Sequence, residues 1–597
     1  MSSSKRAHKQ EDPPSEELAA PKRCKIDSSS DDPMDDDGST SSSRTTSNGA
    51  PVRNMCGDLR VNPFYEGAAF VEATRALLDE NKTCVFNVES GQTVVVGCGT
   101  DDALEHLARA EQSTAVGLAH PFHCCSLPLF LDALPNSTTH SSEIDAQQRQ
   151  SGLEHAADSP ATHAYLAQLE ATLLCQPLRR KNNDLYNFRQ SDDLKNMDAE
   201  ALPVLKPIMD VLQGPVRALL ASITGIELNS NVAMTFSSYA QSDVLLCHDD
   251  ELDERRIAFI LYLSPNWNAA VDGGALDLFD NNPATNAPTS IVASLWPRWN
   301  SFNFFPVTET SHHQVAEVFS SSKARNSING WFHGPPLHRQ APMFEPRLPQ
   351  IQLGPKPLED DNLLLSEWLN PVYLKAQSRV RVHEQFVRES SINLQQFLRA
   401  EVLGPLMAQL WQLSNQRNRA HGSVWQAVGP PHKRSYDTLA DSDAIMPTSP
   451  LGRYLRFLRS HAFRGLLAEL TGLDRLESFN ARELLRRVQS GCYTLIDDGD
   501  TAEVAPALDV FLFLPGLETM HSNAEVVWDT AYGGWISYLA RDQDEELITV
   551  MPTANSLSLV YRTEDALRFV KYVNSTCPHS YLCSALSYVE SEEQAAE

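Results

Sequence analysis

The sequence predicts an α+β chain in which one kind of domain, helices followed by short strands around a barrel or sandwich core, occurs twice. The first observation is a change of texture. Helical patterns in "LPVLKPIMDVL" and "PVRALLASITG" give way near Asn231 to the β-rich segments "AMTFSSYA", "RIAFILYLSP", "GALDLFD", "SFNFFPV", "HQVAEVF" and "SINGWFH". Helices first and strands after is the α+β order. The second is an internal repeat. "VRALLASITGIEL" (216–228) resembles "FRGLLAELTGLDRL" (463–476), and in the same order "IAFILYLSP" matches "LDVFLFLPG", "DGGALDLF" matches "YGGWISYL" and "NSFNFF" matches "NSLSLV". The third is size: 597 residues with 42% hydrophobic content can build several cores.

Residues 1–50 are rich in Ser, Asp, Pro and Lys and nearly lack aromatics, so they cannot bury enough surface to fold. Within them "KRAHK" (5–9) and "PKRCK" (21–25) resemble a bipartite nuclear import signal, with a solvated tail as the plain alternative. A globular chain begins at "NPFYEGAAF". "SLPLFLDALPN" reads as the start of a helix, followed by a polar insert at about 137–162. Pro-rich "PPLHRQAPMFEPRLPQIQLGPKP" (335–357) reads as a linker, and a second insert falls at about 428–450.

Net charge is −28, and only −3 of it lies in residues 1–50. A general nucleic-acid binder carries a basic footprint, so that class is disfavoured, while a basic polypeptide partner suits the charge. Acidity that merely keeps the chain soluble is the competing explanation. No apolar run reaches the length of a membrane span, and the N-terminus has no apolar signal region. The 11 Cys form no CxxC pair, which points to reduced thiols in the cytosol or nucleus.

"DVLLCHDDELDERRIAFILYLSP" (243–265) sets His248, Asp249 and Asp250 before an apolar strand. Alternation along an extended segment puts the first and third of these on one side. The second copy has "IDD", with Ile496 where the first has His248. A turn would tolerate either version, so the loss suggests that only the first copy holds a ligand. Downstream come "SHHQVAEV", with His312 and His313, and "RNSINGWFH", with Arg325 and Trp331. Two imidazoles and a carboxylate form the facial triad of non-haem Fe(II) oxygenases. An Arg fork on a neighbouring strand matches the carboxylate of a dicarboxylate co-substrate.

This combination resembles the 2-oxoglutarate- and Fe(II)-dependent oxygenases, and within them the prolyl hydroxylases. "DLYNFRQSDDL", "LLCHDDE", "RRIAFILYL", "FHG" and "LSEWLNPVYL" extend the likeness to the ribosomal prolyl 3-hydroxylases over nearly the whole chain beyond about residue 55. The resemblance implies two tandem double-stranded β-helix (jelly-roll) domains with flanking helices. A catalytic one spans 52–345 and a degenerate, non-catalytic one 365–590, with tails at 1–51 and 591–597 and a linker at 346–364.

It further implies His248, Asp250 and His313 as iron ligands, with no catalytic residue beyond them. Arg325, Tyr262 and Tyr239 would bind 2-oxoglutarate, and Trp331 would line the substrate pocket. Tyr262 has the alternative of a core strand tyrosine, and His312 and Asp249 of neighbours pointing away. His333 and His338 read as surface or loop residues. Fe(II), 2-oxoglutarate and O2 are the implied cofactors, with ascorbate in support. The implied reaction is 3-hydroxylation of a proline in a basic small-subunit ribosomal protein, in nucleus and cytoplasm. Competing readings are a scaffold for translation termination or mRNA-decay factors, and an oxygenase acting on another protein. The second copy should bind no metal, because Ile496 has no lone pair and the segment "YRTEDALRFVKYVN", aligned there with "RNSINGW", reads as helical.

Overall fold

The computed structural model describes residues 59–80, 83–87, 93–96, 114–133, 159–198, 200–252, 254–337, 350–352, 361–415, 424–439, 445–474, 476, 478–481, 484–496, 506–518, 527–541 and 546–589. The expected tails, both basic clusters, most of the 137–162 insert, His338 and Asp497–Asp498 lie outside the described residues.

Eight strands frame the first sheet system: β1 (Val232–Tyr239), β2 (Val244–His248), β3 (Arg255–Tyr262), β4 (Leu276–Asn281), β5 (Pro288–Leu295), β6 (Phe302–Pro306), β7 (His313–Val315) and β8 (Arg325–His333). Their antiparallel pairs run 1-8-3-6 in one sheet and 2-7-4-5 in the other. The strand Tyr186–Gln190 pairs with both β1 and β2 and joins the two sheets along one edge. This is a curled, jelly-roll-like antiparallel barrel.

Side-chain parity explains why β3 reads as a continuous apolar run. Ile257, Phe259 and Leu261 pack outward in the same core as Leu166, Leu169, Ile208 and Leu220 of the flanking helices. Ala258, Ile260 and Tyr262 pack inward with Leu276, Leu278 and Phe305. A strand buried on both faces needs no polar alternation. Each outward Ile, Phe or Leu contributes roughly 1.5–3 kcal/mol by burial. The helices are locally encoded. Ser159 caps Pro160–Leu174 by accepting from Thr162 N–H, with Pro160 in the first turn. Arg217–Thr224 stops at Gly225, whose φ of 68° a side chain would strain.

A second set of eight strands follows a similar order, with one pair of the first set not reproduced. These are β9 (Arg486–Val488), β10 (Tyr493–Thr494), β11 (Ala507–Leu514), β12 (Ile536–Ala540), β13 (Glu546–Val550), β14 (Ser556–Arg562), β15 (Ala566–Val570) and β16 (Tyr581–Val589). They run 9-16-11-14 and 15-12-13, and Val570 N–H donates to Thr494 Oγ at 2.8 Å to bring β10 beside β15. The strand sets meet. Val244 and Leu246 on β2 pack with Tyr493 and Leu495. Ile496 N–H donates to Asp184 at 2.8 Å, and the Lys571 ammonium donates to Asn182 Oδ1 at 2.6 Å.

Two local expectations fail. The described residues of "SLPLFLDALPN" (126–133) hold the end of the strand Cys124–Leu127 and the strand Leu131–Ala133, which pair with β6 and with Leu59–Val61, and no helix. Pro128 and the left-handed Leu129 (φ 52°) break the segment between them. "YRTEDALRFVKYVN" is the end of β14, a turn and β15, not a helix. Its apolar spacing fits both periods, and sheet partners decide it. The expected linker 346–364 contains the strand Gln350–Gln352, paired with Ser478–Asn480, and the start of the helix Asp361–Trp368. Among the described residues, no helix is long and apolar enough to cross a membrane, and the described cysteines are free thiols.

Candidate metal centre and co-substrate pocket

His248 ends β2 and His313 opens β7, and the two stand opposite each other in the sheet register. Asp250 follows in the left-handed region, φ 61°. That conformation turns its carboxylate back between the two rings. His248 Nε2 lies 3.5 Å from one Asp250 oxygen and His313 Nε2 lies 3.4 Å from the other. These residues form the only described group of three or more potential ligands whose donor atoms all fall within 4.8 Å. Each Nδ1 lies 2.8 Å from a backbone carbonyl, that of Leu246 or Ser311. Those bonds fix the Nδ1–H tautomer and leave both Nε2 lone pairs facing Asp250, the disposition a metal needs.

The electrostatics agree. Burial pushes the Asp250 carboxyl up, but the two imidazoles outweigh it and hold the group well below the ordinary carboxylate range. Burial pushes His248 down, and the Asp250 carboxylate more than reverses that. The cluster therefore favours positive charge, which a divalent cation would supply.

Of the neighbouring histidines, His312 is buried with Nδ1 3.0 Å from Asn281 Oδ1, and its ring lies 5.3 Å from that of His432. Burial pushes it down to about 4, which keeps the imidazole neutral, and its place outside the ligand group is geometric. Asp249 caps its own turn by accepting from Glu251 N–H at 2.9 Å. His333 ends β8 and bonds the Asn231 carbonyl at 3.2 Å.

Arg325 opens β8 opposite Tyr239 of β1 and is 1 % exposed. Its Nε donates to the Gly274 carbonyl at 2.8 Å and an Nη to the Tyr262 hydroxyl at 3.1 Å. The guanidinium sits 4.9 Å from the Tyr262 ring and 5.1 Å from the Tyr239 ring. No carboxylate of the described residues pairs with it. Alternation along β8 then sends Ser327, Asn329 and Trp331 to the same interior face. A cavity of about 340 Å³ is lined by the three ligand candidates, Arg325, Tyr239, Ser327, Asn329 and Trp331. Ser327 Oγ and Asn329 Oδ1 are buried there without a hydrogen-bond partner.

An unpaired buried Arg and orphaned polar atoms beside a donor triad fit a dicarboxylate bound next to a metal. Tyr262 lies on the interior wall, not in the cavity lining. Its hydroxyl accepts from Arg325 Nη. Sequence reasoning missed Arg255, which stacks on Trp331 at 3.5 Å and lies 3.7 Å from Asp250. It missed Ser327 and Asn329 as well, although counting by twos from Arg325 reaches both.

With this geometry in view, comparisons with known proteins agree. The family described as "2OG-Fe(II) oxygenase superfamily" matches residues 234–333. The family described as "Oxoglutarate and iron-dependent oxygenase degradation C-term" matches residues 360–595. The Xenopus laevis protein named prolyl 3-hydroxylase OGFOD1 is 36% identical over 452 residues, covering 69% of this chain and 80% of that protein. Its Mus musculus namesake is 35% identical over 69% and 82%. Prolyl 3-hydroxylase sudestada1 of Drosophila melanogaster is 33% identical over 67% and 75%.

Proposed function

The chain belongs to the prolyl 3-hydroxylase family of 2-oxoglutarate and Fe(II) oxygenases, and from that premise we propose that its substrate is a proline of a basic small-subunit ribosomal protein. The chain is a 2-oxoglutarate- and Fe(II)-dependent dioxygenase acting as a prolyl 3-hydroxylase on a protein. The observation that carries this is the His248–Asp250–His313 cluster in one cavity with Arg325. Iron with 2-oxoglutarate supplies the oxygen activation that places a hydroxyl on an unactivated C–H bond. The chain's own residues do the rest. His248 and His313 through Nε2, and Asp250 through its carboxylate, would hold the metal. Arg325, oriented by Gly274 and Tyr262 and 5.1 Å from the Tyr239 ring, would take the distal carboxylate. Trp331, stacked on Arg255, walls the mouth where a peptide would lie.

Net charge of −28 supports a basic partner. Mass spectrometry of small-subunit ribosomal proteins incubated with the full chain, Fe(II), 2-oxoglutarate and ascorbate should find a +16 Da proline, roughly one oxygen gained. Unmodified ribosomal proteins in a reaction that hydroxylates some other protein would sink the ribosomal reading. Action in both nucleus and cytoplasm is part of the same proposal, resting on the basic clusters of the N-terminal segment.

The second half is read as a degenerate copy of the first barrel, kept for binding and not for chemistry. Its strand order supports this, as do equivalent positions. Four residues past the second glycine of each Gly-Gly pair, Leu278 stands opposite His313, whereas Tyr538 stands opposite Arg568. Arg325 bonds the Gly274 carbonyl, whereas the Tyr581 hydroxyl bonds that of Gly534 at 2.6 Å. Arg568 and Arg562 pair with buried Asp509 at 2.8 and 3.0 Å, an ion cluster inside the second barrel. Burial raises the Asp509 carboxyl, and the two guanidinium groups outweigh it and keep it ionised. Calorimetric titration with Fe(II) under anaerobic conditions should accordingly give one site per chain, absent in His248→Ala. Two sites would contradict the degenerate reading.

A further inference from the structure

Four contacts from the second half of the chain converge on one buried carboxylate of the first. Glu317 is 5 % exposed and lies two residues beyond β7. Ser575 N–H lies 2.9 Å from both of its oxygens, Ser575 Oγ donates to Oε1 at 2.8 Å and the Tyr572 hydroxyl donates to Oε2 at 3.1 Å. Glu317 is neither a ligand candidate nor part of the cavity lining. Yet its backbone leads into the pocket. Its carbonyl accepts from Gly274 N–H at 3.0 Å, and the Gly274 carbonyl accepts from Arg325 Nε at 2.8 Å.

The packing along this path leaves no slack. A Cβ on Gly273 would sit 2.3 Å from the Glu317 carbonyl oxygen, and one on Gly274 would sit 3.0 Å from Arg325 Cδ. A shift of the 316–318 backbone must therefore move the Gly-Gly turn, and with it the acceptor that orients the guanidinium. Hydrogen bonds to an ionised carboxylate are the strong kind, so the second half has a firm hold on this path.

We propose that Glu317 is a positioning residue through which the second half of the chain sets the Arg325 fork, so that docking of that half tunes the affinity for the dicarboxylate co-substrate. The proposal rests on Arg325 as the 2-oxoglutarate anchor. It gives the second half a part in the reaction without any chemistry of its own. Contact between halves then adds to the co-substrate's binding free energy, a coupling that typically changes affinity by roughly 5–150-fold.

The test is calorimetric titration of full-length, Mn(II)-loaded protein with 2-oxoglutarate, beside steady-state kinetics of the Fe(II) enzyme. Glu317→Gln should weaken 2-oxoglutarate binding by about tenfold and raise its KM in step, with Mn(II) affinity and kcat nearly unchanged. Ser575→Ala alters only the second half and should move both values the same way. Lys571→Met breaks a different contact between the halves. It should lower the melting temperature while leaving 2-oxoglutarate affinity alone. Wild-type affinity in both Glu317→Gln and Ser575→Ala overturns the relay. An equal loss in Lys571→Met also overturns it, because general loosening would then suffice. Wild-type protein that binds no 2-oxoglutarate instead overturns the Arg325 reading, and the relay with it.

Discussion

His313→Ala is expected to abolish turnover of 2-oxoglutarate to succinate, while His312→Ala keeps most of it. The two residues are adjacent and both buried, so sequence alone separates them poorly. Geometry separates them clearly. His313 Nε2 faces Asp250 at 3.4 Å, with its Nδ1 bound to the Ser311 carbonyl. His312 turns the other way, to Asn281 and His432. Removing an outer partner of a metal ligand typically costs about 10–100-fold in affinity or activity, so loss of a ligand itself should exceed roughly a hundredfold. His312→Ala removes a neutral hydrogen bond, which costs about 1 kcal/mol of stability. Fe(II) affinity by calorimetry, succinate formation and a melting curve distinguish the cases. Loss of iron binding in His312→Ala with retention in His313→Ala would transfer the ligand role.

Much of this centre was legible because local rules place it. Alternation puts Arg325, Ser327, Asn329 and Trp331 on one face of β8, and the apolar run of β3 announces a strand buried on both sides. Of the repeat segments quoted from the sequence, the first pair falls on the helices Arg217–Thr224 and His461–Thr471, and the other three fall on β3 and β11, β4 and β12, and β6 and β14. The triad itself was less local. His248 and Asp250 do not alternate as a simple extended pair, because Asp250 takes a left-handed φ of 61°. His313 comes from a strand whose pairing with β2 no pattern in "SHHQVAEV" specifies.

What stayed hidden depends on tertiary partners. Arg255 reads as one charge in "DERRIAF", and only the register opposite β8 brings it over Trp331. Glu317 reads as a polar strand residue, because its donors lie 255 and 258 positions away. Arg568 lies in "YRTEDALRFVKYVN", whose apolar spacing fits a helix as well as a strand, and only the pairing of β15 with β12 places it opposite Tyr538.

Arg325→Ala is expected to cripple 2-oxoglutarate binding while leaving iron affinity nearly intact. The guanidinium is 1 % exposed and has no carboxylate partner among the described residues. Its two protein bonds, to Gly274 and Tyr262, orient it without neutralising it. A buried cation in that state favours an incoming dicarboxylate, and the pair is desolvated once formed. Truncating one partner of such a pair costs about 2–5 kcal/mol, or roughly 30-fold to a few thousandfold in affinity. The ligand triad occupies β2, the turn after it and β7, so metal affinity should change little. Arg325→Lys makes the argument sharper. An ammonium keeps the charge but cannot bond Gly274, Tyr262 and a carboxylate in one plane, so it should fall between wild type and alanine. Titration of Mn(II)-loaded protein with 2-oxoglutarate reads the loss directly, and the KM for 2-oxoglutarate reads it in the Fe(II) enzyme. Unchanged 2-oxoglutarate affinity in Arg325→Ala would mean that the cavity's polar wall at Ser327 and Asn329, and not the guanidinium, holds the co-substrate.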